Sequence, residues 1–173
     1  MSTAWQATEI PDVWRTSRRP ALDDRGAFTK IVGEGDEGDA QPFSTREIFW
    51  SRSARGVFRG LHLQVPPKAT RKVVFVVSGA ARDFVLDLRV GEFELDPTTG
   101  GLVIPIGCAH GFEALADDTV MVYGQEEWFS ADCDAGVNVR SSGIVLRAEA
   151  AVISARDLAL PDIADFDSPF VYR

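Results

Sequence analysis

Lys72-Val73-Val74-Phe75-Val76-Val77, then Ser78-Gly79-Ala80, then Ala81-Arg82-Asp83-Phe84-Val85-Leu86-Asp87-Leu88-Arg89-Val90 is the stretch that sets the fold class. The first part is a nearly unbroken β-branched run and reads as a strand buried on both faces. The Ser-Gly-Ala turn leads into a second strand over 81–90. There Arg82, Phe84, Leu86 and Leu88 share one parity, and Asp83, Val85, Asp87 and Arg89 share the other. Outward from this pair the pattern repeats. Strands are expected over 47–51, 56–64, 92–95, 101–104 and 120–123. Asp96-Pro97-Thr98-Thr99-Gly100-Gly101 is a clear turn. Many short strands punctuated by Gly and Pro predict an all-β sandwich or barrel. Helical periodicity is weak, with short turns expected only near 12–15 and 154–158. The acidic, glycine-rich run over 33–39 reads as an exposed loop. The segment after Pro161 reads as irregular chain wrapping the barrel or a partner.

The 173 residues suit a single domain, and a 45% hydrophobic, 25% charged composition is ordinary for a globular chain. There are 18 Lys and Arg against 26 Asp and Glu, a net charge of −8. That balance argues against nucleic-acid polymers and anionic membranes as partners, since both require a basic footprint. A few local cations still suffice for one small anion. The start of the chain has no apolar signal core, and no apolar run is long enough to span a bilayer. The expectation is a cytoplasmic protein in which Cys108 and Cys133 stay reduced. With 2 His and 2 Cys, at His62, Cys108, His110 and Cys133, the spacing fits no known zinc pattern. No metal is assigned.

Four segments carry chemistry. Asp23-Asp24-Arg25-Gly26-Ala27-Phe28 offers a guanidinium beside a tight turn, suited to a phosphate, although ordinary surface turns look similar. In Arg59-Gly60-Leu61-His62-Leu63-Gln64, simple alternation puts Gly60, His62 and Gln64 on one face and Arg59 on the other. Gly60 marks a bulge or a close backbone approach. Pro105-Ile106-Gly107-Cys108-Ala109-His110 resembles the second half of the cupin signature, while the first half has Gln64 where a ligand His would stand. Lys72 and Tyr123 are chemically capable groups on predicted strands.

In order, DDRGAF, SRSARGVFRGLHLQ, KVVFVVSG, DFVLDLR, IPIGCAHGFEAL, Tyr123 and ISARDLALP resemble the dTDP-4-dehydrorhamnose 3,5-epimerase family of the cupin superfamily. The resemblance runs from about residue 23 to 161. It implies a cupin-type jelly roll with a few short peripheral helices and a cofactor-free reaction on a nucleotide-diphosphate sugar. In that reaction C3, C5 or both are inverted beside a C4 ketone. His62 matches the base and Asp157 its carboxylate. Lys72 matches the group at the keto oxygen, and Tyr123 the proton donor across the ring. Arg25 and Arg59 match arginines that hold the diphosphate, and Gln64 and His110 match other pocket residues. Phe28, Glu47 and Trp128 are further candidates for substrate contact, with Trp128 and Phe129 offering a stacking surface for the base. The resemblance also implies a homodimer that exchanges strands, in which Trp5 and Trp14 could serve the interface.

The chain departs from the family around this core. The family's Gln-x-Asn is Glu47-Ile48-Phe49, its Tyr-Tyr pair is Trp128-Phe129, and Lys30 stands where an acid is usual. A new Lys30–Glu47 ion pair would follow from these exchanges. Two other readings of the scaffold are a non-catalytic nucleotide-sugar binder and another cupin activity, such as a ketoisomerase or a metal-dependent dioxygenase.

Overall fold

The structure is a computed structural model and describes residues 5–16, 20–33, 42–87 and 89–171. The strands are β1 (Gln6–Ala7), β2 (Trp14–Thr16), β3 (Ala21–Asp23), β4 (Gly26–Phe28), β5 (Glu47–Ser53), β6 (Val57–Gln64) and β7 (Lys72–Ser78). They continue with β8 (Ala81–Leu86), β9 (Val90–Leu95), β10 (Gly101–Ile104), β11 (Ala109–Ala114), β12 (Thr119–Gln125), β13 (Asp134–Gly136) and β14 (Val152–Ile153). One helical turn, α1 (Ala155–Leu158), follows. Among the described residues no helix is long and apolar enough to cross a membrane.

One sheet runs β1-β2-β10-β7-β12-β5 and the other β13-β6-β11-β8-β9, with β14 beside β6. Along the chain, strands from β5 onward pass back and forth between the sheets, as in a jelly roll. The main core lies between them. Val74, Val76, Leu102, Ile104 and Met121 of one sheet meet Val85, Leu95 and Phe112 of the other. The second sheet is buried on its outer face too. Phe58, Leu61, Leu63, Phe84 and Leu86 pack there under Ile144, Leu146, Ile153, Phe166 and Phe170. The tail after Pro161 therefore wraps the barrel of its own chain. Among the described residues, Trp5, Trp14, Ile31, Val32 and Phe43 cover one end of the first sheet, packing on Val73 and Val103. Trp5 is thus buried within this chain.

The sequence expectations for β5 to β10 and for β12 hold, β11 falls where no strand is expected, and three expectations are corrected. Residues 12–15 are not helical: Asp12 sits at a turn with φ +60, and Trp14–Thr16 pairs with β10. Ladder bonds to a ready sheet edge outweigh the propensity of so short a segment. The strand expected over 81–90 ends at Leu86. Asp87 accepts from Arg89 N–H in a tight turn, and β9 then begins at Val90. β7 is buried on both faces at Val73 and Val74, but Val77 near its end is exposed. Most of the acidic run over 33–39 falls outside the described residues.

Candidate active site

The site is assembled around a bulge in β6. His62 pairs with His110, yet Arg59 pairs with Phe112, so Gly60 and Leu61 together oppose Gly111 alone. Gly60 has φ +130. A Cβ on it would lie 2.5 Å from Gly111 Cα and 2.8 Å from the His110 carbonyl oxygen. Only glycine fits this contact. The extra residue overturns simple alternation: Arg59 and His62, expected on opposite faces, both line one cavity of about 710 Å³.

α1 supplies the partner of His62. Ser154 caps the turn by accepting from Asp157 N–H at 3.0 Å. The turn carries Asp157 against β6, where its carboxylate is almost wholly buried. Asp157 Oδ1 lies 2.8 Å from His62 Nε2, and Oδ2 accepts from Gly60 N–H at 3.2 Å. Burial pushes the Asp157 carboxyl up, but the His62 hydrogen bond and charge outweigh it and leave it below the ordinary carboxylate value. With Nε2–H given to Asp157, Nδ1 is the ring atom left with a lone pair.

Lys72 opens β7 and lines the same cavity. Its Nζ donates to the His62 carbonyl at 3.2 Å. Burial pulls its ammonium down to about 8, against the charge of Asp134. Tyr123, on β12, is pushed well above the ordinary phenol value, chiefly by burial, so its hydroxyl stays protonated. That hydroxyl lies 3.3 Å from Ser51 Oγ. Phe49 stacks on the Tyr123 ring at 4.7 Å and 10°.

A second histidine–carboxylate pair backs the cavity. His110 Nε2 lies 2.8 Å from Asp83 Oδ2, both groups buried. The His110 ring meets Tyr123 edge-on at 6.1 Å. Burial raises Asp83 toward its neutral form while His110 opposes that. Asp83 Oδ1 has no hydrogen-bond partner among the described residues.

The structure therefore brings together His62, Asp157, Lys72, Tyr123, Arg59, Gln64 and His110. Gln64 ties together two loops: its side chain accepts from Ser130 N–H, after β12, at 2.7 Å and donates to the Lys68 carbonyl, after β6, at 3.1 Å. Arg25 and Phe28 are not part of this cavity. They sit on the exposed β3–β4 hairpin, where Arg25 pairs with Asp23 at 2.5 Å. Trp128 is exposed outside the cavity wall, while its neighbour Phe129 lines it. Glu47 binds Gln125 Nε2 at 2.9 Å and Phe129 N–H at 2.7 Å, in place of the expected Lys30 pair. Cys108 and Cys133 are separate, buried thiols.

Sequence reasoning missed Arg156, Asp134, Ser51 and the partnership of Asp83. Arg156 Nη1 lies 3.1 Å from His62 Nε2 and 3.7 Å from Asp157 Oδ1, and its other nitrogen binds Asp134. The available signal was an Arg directly before Asp157 on a single turn.

A family model for dTDP-4-dehydrorhamnose 3,5-epimerase matches residues 7–165. The chain belongs to the dTDP-4-dehydrorhamnose 3,5-epimerase family. Among curated relatives, the epimerase of Sinorhizobium fredii is 33% identical, covering 97% of this chain and 93% of its own. That of Streptomyces griseus is 29% identical, covering 91% and 86%. The crystal structure of the Bacillus anthracis epimerase, with TDP and pyrophosphate bound, is 31% identical with a TM-score of 0.84, covering 92% of this chain and all of that one (100%). A 4-keto-6-deoxy sugar epimerase from the novobiocin cluster of Streptomyces spheroides is 25% identical with a TM-score of 0.87, covering 92% and 87%. The fold of this family member is thus the family's cupin-like jelly roll, and its activity is that of an epimerase.

Proposed function

We propose that this epimerase acts on a dTDP-linked 4-keto-6-deoxyhexose and inverts C3, C5 or both. The carrying observation is that the His62–Asp157 pair faces the same cavity as Lys72 and Tyr123. The C4 ketone acidifies the adjoining C–H bonds. His62 Nδ1 takes an α-proton, and Asp157 stabilises the imidazolium that results. The electron pair moves to the keto oxygen, where the buried Lys72 ammonium meets the enolate. Tyr123 then returns its own proton to the carbon from the opposite face. A turn of the cycle leaves an imidazolium and a phenolate, which reset by exchange with water. Arg59 holds the diphosphate from the cavity lining, where its Nε donates to Ser53 Oγ at 3.0 Å and Nη2 to the Arg52 carbonyl at 3.3 Å.

The active unit is a homodimer. Ile48 and Trp50 on the edge strand β5, with Val77 on β7, are exposed apolar side chains of the first sheet. Arg25 and Phe28, exposed on the β3–β4 hairpin and outside the lining of this chain's cavity, complete a partner's. Two reduced, buried thiols agree with a cytoplasmic setting. The test is product analysis by NMR after incubation with dTDP-4-keto-6-deoxyglucose. A new C3 or C5 epimer is expected, and an unchanged sugar contradicts the proposal.

A further inference from the structure

The cavity has two unlike walls. One is polar, built from Arg59, His62, Lys72, Asp134, Arg156 and Asp157. The other comes from β5 and the end of β12, with Phe49, Ser51, Tyr123 and Phe129. The polar atoms of this second wall pair in part with one another. Ser51 Oγ and the Tyr123 hydroxyl lie 3.3 Å apart. The Glu47 carboxylate behind them takes Gln125 Nε2 and Phe129 N–H. Phe49 stands directly across from Tyr123 in the β5–β12 ladder and stacks on its ring. It remains 41% exposed. The family pattern noted above has Asn at this position. A carboxamide there can bond a sugar hydroxyl, and a phenyl ring cannot.

Given the epimerase reading, on which this inference rests, the reaction limits which hydroxyl is concerned. C1 carries the nucleoside diphosphate, C4 the ketone and C6 a methyl group. C5 carries the ring oxygen, and C3, where it is inverted, must keep its substituent to be a stereocentre. In an epimerase that inverts C3, only C2 can lose its oxygen without removing a group the reaction needs. We propose that Phe49 is a specificity-determining residue selecting a nucleotide-linked 4-keto sugar that lacks the C2 hydroxyl, with the C2 methylene packed on the phenyl ring. A C2 hydroxyl pressed against Phe49 gives up its water bonds with nothing in return.

The test compares kcat/KM for dTDP-4-keto-6-deoxyglucose and its 2-deoxy counterpart. The wild type is expected to favour the 2-deoxy sugar by about tenfold to a hundredfold. Phe49→Asn is expected to reverse the preference. Phe49→Leu keeps the wall apolar, so it is expected to keep the preference even if losing the ring stack slows turnover. Equal kcat/KM values in the wild type, or an unchanged preference in Phe49→Asn, would overturn the inference and leave the epimerase reading standing. No turnover of either sugar by the wild type would overturn that reading and the inference with it.

Discussion

His62 Nε2 lies 2.8 Å from Asp157 Oδ1, two side chains 95 residues apart in the chain that meet because a bulge and a one-turn helix close on each other. Gly60 serves both ends of this contact. Its crowded backbone aims His62 into the cavity, and its N–H holds the other Asp157 oxygen.

Removing the base should be the most damaging change. His62→Asn is expected to lower kcat by about 10²–10⁴-fold, the usual worth of a positioned general base. Asp157→Asn should cost less while moving in the same direction, because the imidazole survives without its orienting charge. Steady-state kinetics, with nucleotide affinity as the control for folding, checks both.

Lys72 should set the alkaline limb of the pH profile. Its ammonium titrates at about 8 because burial disfavours the charge, and the enolate needs that charge. Activity is therefore expected to fall as pH rises through about 8. Tyr123 stays protonated across that range, so the limb belongs to Lys72. Lys72→Arg should retain the cation and move the limb upward, and a pH series of kcat/KM measures it. The same shift bears on stability with the opposite trend. Between about 8 and the ordinary lysine value the unfolded chain binds the extra proton, so this group makes stability rise with pH there.

Tyr123→Phe should separate the two half-steps. His62 can still remove and return a proton on its own face, so solvent deuterium enters with configuration retained while inversion is lost. Mass spectrometry and NMR of the recovered sugar distinguish exchange from inversion.

Gly60→Ala tests the scaffold under the dyad. The new Cβ would meet backbone atoms of His110 and Gly111 that cannot move aside. Together with the positive φ this is expected to cost roughly 1–3 kcal/mol or more of stability. It should also spread His62 from Asp157, so that thermal denaturation and activity fall together.

Most of the strands are legible because runs such as KVVFVV and the Gly/Pro turns state the β period directly. The dyad members were legible only through motif resemblance. No local pattern ties Asp157 to a histidine 95 residues away. The facing of Arg59 departs from alternation because alternation assumes an unbroken ladder, and Gly60 breaks it. Arg156 was passed over because its importance lies in standing between Asp134 and the dyad, a relation that depends on how α1 lands on β6. Arg25 and Phe28 belong to a segment whose position relative to a pocket is set by tertiary placement alone.

The most direct measurement is solvent-deuterium wash-in, followed by NMR, with dTDP-4-keto-6-deoxyglucose and with its 2-deoxy counterpart, on the wild type and His62→Asn. The expected result is deuterium at C3, C5 or both in at least one sugar with the wild type, and a rate at least about 10²-fold lower with His62→Asn. A folded wild type that binds the nucleotide sugars yet exchanges no C–H proton in either would contradict the assignment of His62 and Asp157 as the working pair.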